Sequence, residues 1–219
     1  MKERAGGDVQ NVLIVGVGGQ GVLLASEILA EAALRSGFTV KKSEVHGMAQ
    51  RGGVVSSHVR FGRVVFSPLI KRKEADVILA FEEAEALRWL PFLSPKGFLI
   101  VNRQRISSPL VTLGLAHYPK DIPSALSSLG NRYMGVDAFP LALEMGDPRL
   151  VNSIMLGELS SLLSIPLTSW KRTLQKKLPE RLRDLNQLAF ERGRQSWPPQ
   201  GRARKGLPRP DPCRLAGEP

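Results

Sequence analysis

The sequence contains one cysteine, Cys213, close to its carboxyl end. A single cysteine excludes an internal disulfide, a cysteine-ligated iron–sulfur cluster and a cysteine-based zinc site. The three histidines form no HExxH or HxxH pattern, so we expect no metal site. No run of eighteen apolar residues is present, and the first ten residues lack the apolar stretch of a signal peptide. These absences predict a cytoplasmic chain without a membrane span.

Charge is unbalanced in this sequence, with a formal net charge of +11 at pH 7. A basic surface favours anionic ligands or an acidic protein partner. The basic residues form no stripe interleaved with aromatic side chains, and no nucleic-acid-binding motif is present, so we expect no nucleic-acid partner. No serine nucleophile elbow is visible, and the chain shows no complete catalytic set of its own.

The most informative stretch is a glycine-rich turn between a strand pattern and a helix pattern. Apolar residues 12–15 predict a buried strand, and a helical pattern starts at residue 22. Such a turn directs backbone N–H groups and the positive end of a helix dipole at one point, where phosphate or pyrophosphate binds. The alternative is a turn whose glycines only allow close packing. The candidate binding residues, which fit the dinucleotide spacing GxGxxG, are Gly16, Gly18, Gly19, Gln20 and Gly21.

A second glycine-rich loop follows the next predicted strand, residues 38–45, and adds the candidates Glu44, His46, Gln50, Arg51, Gly52 and Gly53. The Arg51 guanidinium could clamp a phosphate or carboxylate, and His46 could act as an acid–base group. Glu44 follows Gly21 at the spacing of an acid that binds the ribose of NAD. Both loops are expected at the carboxyl edge of the sheet, where open α/β folds bind ligands. The alternative is a structural loop in which Arg51 pairs with a carboxylate.

Alternating strand and helix patterns predict the fold class α/β, a Rossmann-like, mostly parallel sheet with an inserted β-hairpin and a C-terminal helical segment. Residues 54–61 alternate apolar and polar side chains, which predicts a half-buried strand, and after a turn at residues 62–63 residues 64–70 are predicted to be its hairpin partner. His58 within that strand is interpreted as structural. The acids Glu82, Glu83 and Glu85 are interpreted as a helix N-terminal cluster that complements the dipole. We predict one domain over residues 8–194 and a disordered, basic, proline-rich tail over residues 195–219.

Three motifs together resemble one known family. They are GVGGQG at residues 16–21, SEVHGMAQRGG at 43–53, and SHVRFG at 57–62 followed by SPLI at 67–70. The combination resembles the gamma-type domain of the 2-oxoacid:ferredoxin oxidoreductases, a family that includes indolepyruvate ferredoxin oxidoreductase and its beta subunit. The likeness runs from about residue 11 to residue 194.

The resemblance implies a role within a larger enzyme. Such enzymes decarboxylate an arylpyruvate oxidatively, pass electrons to ferredoxin and form an aryl-acetyl-coenzyme A. Thiamine diphosphate, magnesium and iron–sulfur clusters are then expected in a large alpha subunit, and this chain would be active only with that partner. Coenzyme A is a candidate ligand of this chain. The turn at residues 18–21 would bind its pyrophosphate, and the loop from Glu44 to Gly53 would face the active centre or the partner.

Two other functions stay open at this point. One is a stand-alone NAD-dependent dehydrogenase, which the glycine spacing and Glu44 favour. The other is a non-catalytic, Rossmann-like assembly protein whose loops serve only protein contacts.

Overall fold

The computed structural model of the chain describes residues 9–46, 53–107, 109–112, 114 and 117–195. Gln50, Arg51 and Gly52 lie outside these residues, as does the predicted tail from residue 196 onward. Gln195, the first residue of the predicted tail, belongs to the last helix.

Six strands and eight α-helices form the described fold. The strands are β1 Gln10–Val17, β2 Thr39–His46, β3 Val54–Gly62, β4 Ala75–Ala80, β5 Leu93–Asn102 and β6 Tyr133–Val136. The helices are α1 Val22–Arg35, α2 Glu83–Trp89, α3 Pro109–Thr112, α4 Ile122–Ser127, α5 Ala138–Glu144, α6 Val151–Ser160, α7 Leu167–Lys177 and α8 Arg183–Gln195. The predicted C-terminal helical segment is therefore confirmed as α6, α7 and α8.

The strands form one sheet in the order β2-β3-β1-β4-β5-β6. Strand β3 runs antiparallel to both of its neighbours, whereas β1, β4, β5 and β6 pair in parallel. The predicted α/β class with a mostly parallel sheet is confirmed. The carboxyl ends of five strands consequently lie at one edge of the sheet, which we call the carboxyl edge.

The predicted partner of the inserted hairpin is wrong. Residues 54–62 form β3 as expected, but β3 pairs with β2 on one side and β1 on the other, and residues 64–70 form no strand. Because both edges of β3 are already hydrogen-bonded, the following apolar segment has no free edge to join. The interior position also makes β3 more buried than predicted, with Ser56, Ser57 and His58 all buried.

Helices cover both faces of the sheet. On one face, α1 and the helices α5 to α8 pack with Val12 and Ile14 of β1 into the larger core. On the other face, α2 and α4 pack with Leu13 and Val15. Strands buried on both faces read as continuous apolar runs, which explains why β1 and β4 were recognisable from sequence. None of the described helices is long and apolar enough to cross a bilayer.

His58 of β3 fixes the segment that follows the strand. Its Nδ1 accepts a hydrogen bond from the Ile70 backbone N–H at 3.1 Å, and its ring makes edge contacts with Trp89 and Phe92. Burial lowers the pKa of His58 from its ordinary value, so the imidazole is held neutral. This supports the structural interpretation of His58.

Stability is expected to fall as the pH is lowered through about 6.5, the ordinary pKa of histidine. The unfolded chain binds a proton there more readily than the folded chain, so the contribution is complete above that pH and is lost below it. The measurement is the free energy of unfolding in urea between pH 7.5 and 5. The variant His58→Asn, which keeps an acceptor for Ile70, should lose this part of the pH dependence, while His117→Gln at an exposed position should retain it. An unchanged pH profile in His58→Asn would contradict the assignment.

Candidate functional site

The glycine turn joins the carboxyl end of β1 to the first turn of α1. Gly19 and Gly21 have φ angles of 102° and 78°, a region that glycine adopts without a side-chain penalty. The first helical hydrogen bond runs from the Ala25 N–H to the Gly21 carbonyl, so the N–H groups of residues 22–24 precede it. These groups and the dipole of a fourteen-residue helix make the turn suitable for an anion.

Gln20 has its side chain directed into the sheet. Its Oε1 accepts a hydrogen bond from the Val17 N–H at 2.8 Å, and its Nε2 donates to the Phe81 carbonyl at 2.9 Å. The same Nε2 also donates to Gln104 Oε1 at 3.3 Å. One amide therefore joins the residues that end β1, follow β4 and follow β5.

This amide occupies the crevice where the sheet changes winding direction. Strands β1 and β4 are adjacent and parallel, yet α1 packs on one face of the sheet and α2 on the other. Ligands of open α/β sheets bind outside the strand ends at such a point. The Gln20 amide occupies the inner part of the crevice, next to the strand ends. A ligand in the crevice would therefore lie on the solvent side of Gln20, against the exposed Gly19 and the start of α1.

A distant helix secures the same turn. The Nδ2 of Asn152, in the first turn of α6, donates to the Gln20 carbonyl at 2.8 Å. A β-carbon at Gly21 would overlap that Nδ2 atom, so only glycine fits beside it. The position of α6 depends in turn on α8, because Ser153 Oγ donates to Asn186 Oδ1 at 2.6 Å.

The two glycine-rich loops meet at the carboxyl edge, as the sequence predicted. The Gly18 N–H donates to the Gly53 carbonyl at 2.9 Å, and Val17 lies opposite Val54 in the sheet. His46 ends β2 at this edge, but its side chain is outside the described residues, as are Gln50, Arg51 and Gly52. Their binding roles stay predictions.

Glu44 does not lie beside the glycine turn. Strand β3 separates β2 from β1, so Glu44 is two strand spacings away, about 9.5 Å. Its Oε1 accepts from Lys42 Nζ at 2.5 Å, an ion pair on its own strand. In a dinucleotide-binding fold the ribose-binding acid stands on the strand next to the glycine turn. The strand order therefore disfavours an NAD site in which Glu44 binds the ribose.

The three acids after β4 are buried to an extent that the sequence did not indicate. Glu82 caps α2 by accepting from the Glu85 N–H at 3.0 Å, in agreement with the predicted helix N-terminal role. It also accepts from the Ile106 N–H and from Tyr118 Oη. Burial is the largest cause that raises the pKa of Tyr118 far above its ordinary value, and the hydrogen bond to Glu82 raises it further. Glu82 thereby fixes the start and the end of the β5–α4 connection.

Polar residues at the end of β5 and directly after it complete this edge and were missed by sequence reasoning. Asn102 Nδ2 donates to Phe81 O and to Gln104 Oε1, and Arg105 pairs with Glu83 at 2.7 Å. Arg103 pairs with Asp137 beyond β6 at 3.1 Å. The signal was present as NRQR directly after the buried run GFLIV, since polar residues at a parallel strand's carboxyl end commonly serve a site. Among the described residues, no group of three or more histidines, cysteines or acids is arranged to hold a metal ion.

Comparisons with known proteins agree with this architecture. The family model for pyruvate ferredoxin/flavodoxin oxidoreductase matches residues 11–196. The chain is 40% identical over 190 residues to the indolepyruvate oxidoreductase subunit IorB of Thermococcus kodakarensis, which covers 84% of this chain and 93% of that one.

Two solved structures are also similar. The pyruvate oxidoreductase subunit PORC of Thermotoga maritima has a TM-score of 0.63 and 26% identity, covering 86% of this chain and 96% of that chain. The 2-oxoglutarate:ferredoxin oxidoreductase of Magnetococcus marinus, solved with 2-oxoglutarate, coenzyme A and succinyl-CoA bound, has a TM-score of 0.66. It is 22% identical and covers 86% of this chain and 31% of that one, a likeness that concerns the fold. The resemblance inferred from the three motifs is confirmed, and the chain belongs to the pyruvate ferredoxin/flavodoxin oxidoreductase family.

Proposed function

We propose that this chain is the small, gamma-type subunit of an indolepyruvate:ferredoxin oxidoreductase and acts together with a large alpha subunit. The supporting observation is its 40% identity to a subunit of an enzyme named for indolepyruvate, over 93% of that subunit. In the reaction, the carboxyl carbon of the arylpyruvate leaves as carbon dioxide and the keto carbon becomes the thioester carbonyl of aryl-acetyl-coenzyme A. The electron pair passes to ferredoxin.

We assign each cofactor to one of the two subunits by the ligands that its binding requires. The only cysteine of the sequence is Cys213, so the iron–sulfur clusters that transfer the electrons belong to the partner. We assign thiamine diphosphate and its magnesium to the same alpha subunit. Thiamine diphosphate supplies the carbanion chemistry of the decarboxylation when it is bound there.

Coenzyme A is the ligand that the carboxyl edge of this chain fits best. The N–H groups at the start of α1 suit a pyrophosphate, and Gly19 leaves open space where a side chain would stand. Arg103 and Arg105 are exposed after β5 at the same edge, each paired with an acid, Asp137 and Glu83, so they offer guanidinium donors rather than net positive charge. Arg51 is predicted to add a third guanidinium from the neighbouring loop. Because Glu44 stands two strands from the turn, a ribose contact of the NAD type lacks its acid.

The isolated chain is expected to reduce no ferredoxin or viologen dye with indolepyruvate and coenzyme A, even after thiamine diphosphate and magnesium are added. Co-expression with a large alpha subunit of this enzyme family should give a complex that does. The large subunit alone is the matched control. Dye reduction by the isolated chain would contradict the proposal, as would the lack of any complex between the two chains.

Calorimetric titration of the complex separates the two nucleotide ligands. Coenzyme A is expected to bind and NAD is expected to give no heat of binding. Binding of NAD without a response to coenzyme A would instead favour a dehydrogenase.

A further inference from the structure

Gln104, which follows β5, is held at the carboxyl edge by all of its polar groups except one. Its backbone N–H donates to the Asn102 carbonyl at 2.7 Å, and its carbonyl accepts from the Glu83 N–H at 3.1 Å. Its Oε1 accepts from Gln20 Nε2 at 3.3 Å and from Asn102 Nδ2 at 3.0 Å. Among the described residues, none accepts a hydrogen bond from its Nε2. A side chain whose position is fixed therefore has two unused N–H groups at the candidate site.

The orientation of the Gln104 amide follows from backbone groups on which the neighbouring amides depend. The Val17 N–H can only donate, so the Gln20 atom that it contacts is the oxygen. The Phe81 carbonyl can only accept, so it contacts Gln20 Nε2 and Asn102 Nδ2. Each of these two nitrogens has a second hydrogen, and both contact the same atom of Gln104, which must be its oxygen. The Nε2 of Gln104 consequently lies on the side away from the two other amides.

We call the side chains of Gln20, Asn102 and Gln104 the amide network, and its acceptor oxygens are not available to a ligand. Gln20 Oε1 and Gln104 Oε1 already accept the hydrogen bonds described above. Asn102 Oδ1 has no partner among the described residues, but it is enclosed in the protein. Gln104 is half-buried, and its Nε2 is not among the enclosed polar atoms. The amide network therefore offers a ligand N–H donors and no acceptor.

Gln104 is close to the glycine turn because Gln20 connects the two. The backbone of Gln20 belongs to the turn, and its side chain reaches Gln104. A ligand with a phosphate at the start of α1 that extends along the carboxyl edge would therefore pass Gln104. The adjacent Arg103 and Arg105 are each paired with an acid, whereas no described residue accepts from Gln104 Nε2.

We propose that Gln104 is a ligand-contact residue whose Nε2 donates a hydrogen bond to an acceptor oxygen of coenzyme A. This inference rests on the proposed function, which assigns coenzyme A to the carboxyl edge. Two parts of coenzyme A have such oxygens, namely the diphosphate and the amide carbonyls of the pantetheine arm. Because the Gln104 amide is fixed before the ligand arrives, the contact costs little conformational entropy. A ligand with a donor at this point is disfavoured, because it would find no acceptor.

The test measures the affinity of the assembled complex for coenzyme A by calorimetry. Gln104→Leu removes the donor and is expected to weaken binding about tenfold, the scale of one hydrogen bond to a charged acceptor. Gln104→Glu keeps an oxygen for Gln20 and Asn102 but has no Nε2, and it should weaken binding at least as much. Any excess that comes from repulsion by the carboxylate should shrink as the salt concentration rises.

Gln175 on α7 provides the matched controls. Gln175→Leu and Gln175→Glu make the same two changes at an exposed position on a helix outside the carboxyl edge. Both are expected to bind coenzyme A with wild-type affinity. Melting temperatures within a few degrees of wild type show that the Gln104 variants are folded.

Steady-state kinetics of the same complexes give a second readout. The KM for coenzyme A should rise in the Gln104 variants, while kcat at saturating coenzyme A stays close to wild type. This pattern is expected when a contact is made equally in the ground state and the transition state. A general disturbance of the active centre would lower kcat as well.

Two fragments of coenzyme A identify the acceptor oxygen. ADP has a diphosphate without the pantetheine arm, and pantetheine has the amides without a phosphate. The affinity of each is measured by competition with coenzyme A. If Gln104→Leu weakens the binding of ADP alone, the acceptor is in the diphosphate. If it weakens the binding of pantetheine alone, the acceptor is an amide carbonyl, and either result supports the inference.

Wild-type affinity for coenzyme A in Gln104→Glu would overturn the inference, because that variant lacks the donor and keeps the oxygen of the amide network. An equal loss in the Gln175 variants would also overturn it, since the effect would not depend on the crevice. Both results leave the proposed function intact if the complex forms and oxidises indolepyruvate. A wild-type complex that does not bind coenzyme A, or the lack of any complex, would instead contradict the proposed function.

Discussion

Gly21→Ala is expected to lower the free energy of unfolding by about 3 kcal/mol. The φ of 78° at this position costs an alanine about 1–2 kcal/mol. Its β-carbon would also displace Asn152 Nδ2 from the Gln20 carbonyl, and a polar group left unsatisfied costs about 1–3 kcal/mol. For a domain of this size the melting temperature should fall by roughly 6–12 °C.

Two controls separate strain from the lost contact. Gly19→Ala places a methyl group in open space at a residue whose φ is 102°. Only the backbone strain penalty is therefore expected, without the loss of a hydrogen bond. The double variant Gly21→Ala with Asn152→Ala removes the clashing amide. It should be less destabilised than the sum of the two single variants. If the losses of the two single variants simply add up in the double variant, contact with Asn152 is not the reason that position 21 requires glycine.

Gln20→Leu should destabilise the fold by about 2 kcal/mol and should also impair the assembled enzyme. Leucine fills the space of the glutamine but leaves the Val17 N–H without the Gln20 acceptor, and it leaves the Phe81 carbonyl with only the bond from Asn102. The turn would then lose the contact that fixes it against β4. Urea unfolding of the isolated chain and steady-state rates of the complex provide the two measurements.

Gln104→Leu is the matched control for that variant. It removes a longer bond of 3.3 Å to Gln20 and the bond from Asn102, and it leaves Val17 and Phe81 satisfied. A loss of about 1 kcal/mol is expected. Equal effects of Gln20→Leu and Gln104→Leu on the free energy of unfolding would show that the Gln20 side-chain amide has no special role.

Gln20→Glu adds a test by pH, because only the protonated carboxyl can donate to the Phe81 carbonyl. The free energy of unfolding of this variant should therefore increase as the pH falls.

Local patterns in the sequence predicted the central elements of the fold and one half of the candidate site. The step from β1 through the glycine turn into α1 was predictable because strand, turn and helix are continuous in the chain. The shared edge of the two glycine-rich loops was also predictable, since parallel strands place their ends together. Gly18 and Gly53 confirm that placement by a direct backbone hydrogen bond.

Long-range pairing was not predictable in the same way. Residues 64–70 have the β-branched and apolar character of a strand, yet β3 had no edge left for them. The insertion of β3 between β1 and β2 also separated Glu44 from the turn, against the expectation from its spacing. Asn152 lies far along the chain from Gln20, and no local pattern connects the two. Choices of partner among distant segments depend on the whole sheet.

The insertion of β3 has a consequence for the order in which the protein can form. Strands β1 and β2 flank β3 and are not hydrogen-bonded to each other, so the first strand–helix–strand unit forms no sheet until residues 54–62 have been synthesised. The other edge of β1, which contains the apolar residues Val12–Val15, stays unpaired until β4 has been synthesised and pairs with it. Such late pairings slow folding and leave an apolar strand exposed to aggregation. We therefore expect a nascent chain that ends before residue 54 to remain unfolded and to need protection from chaperones.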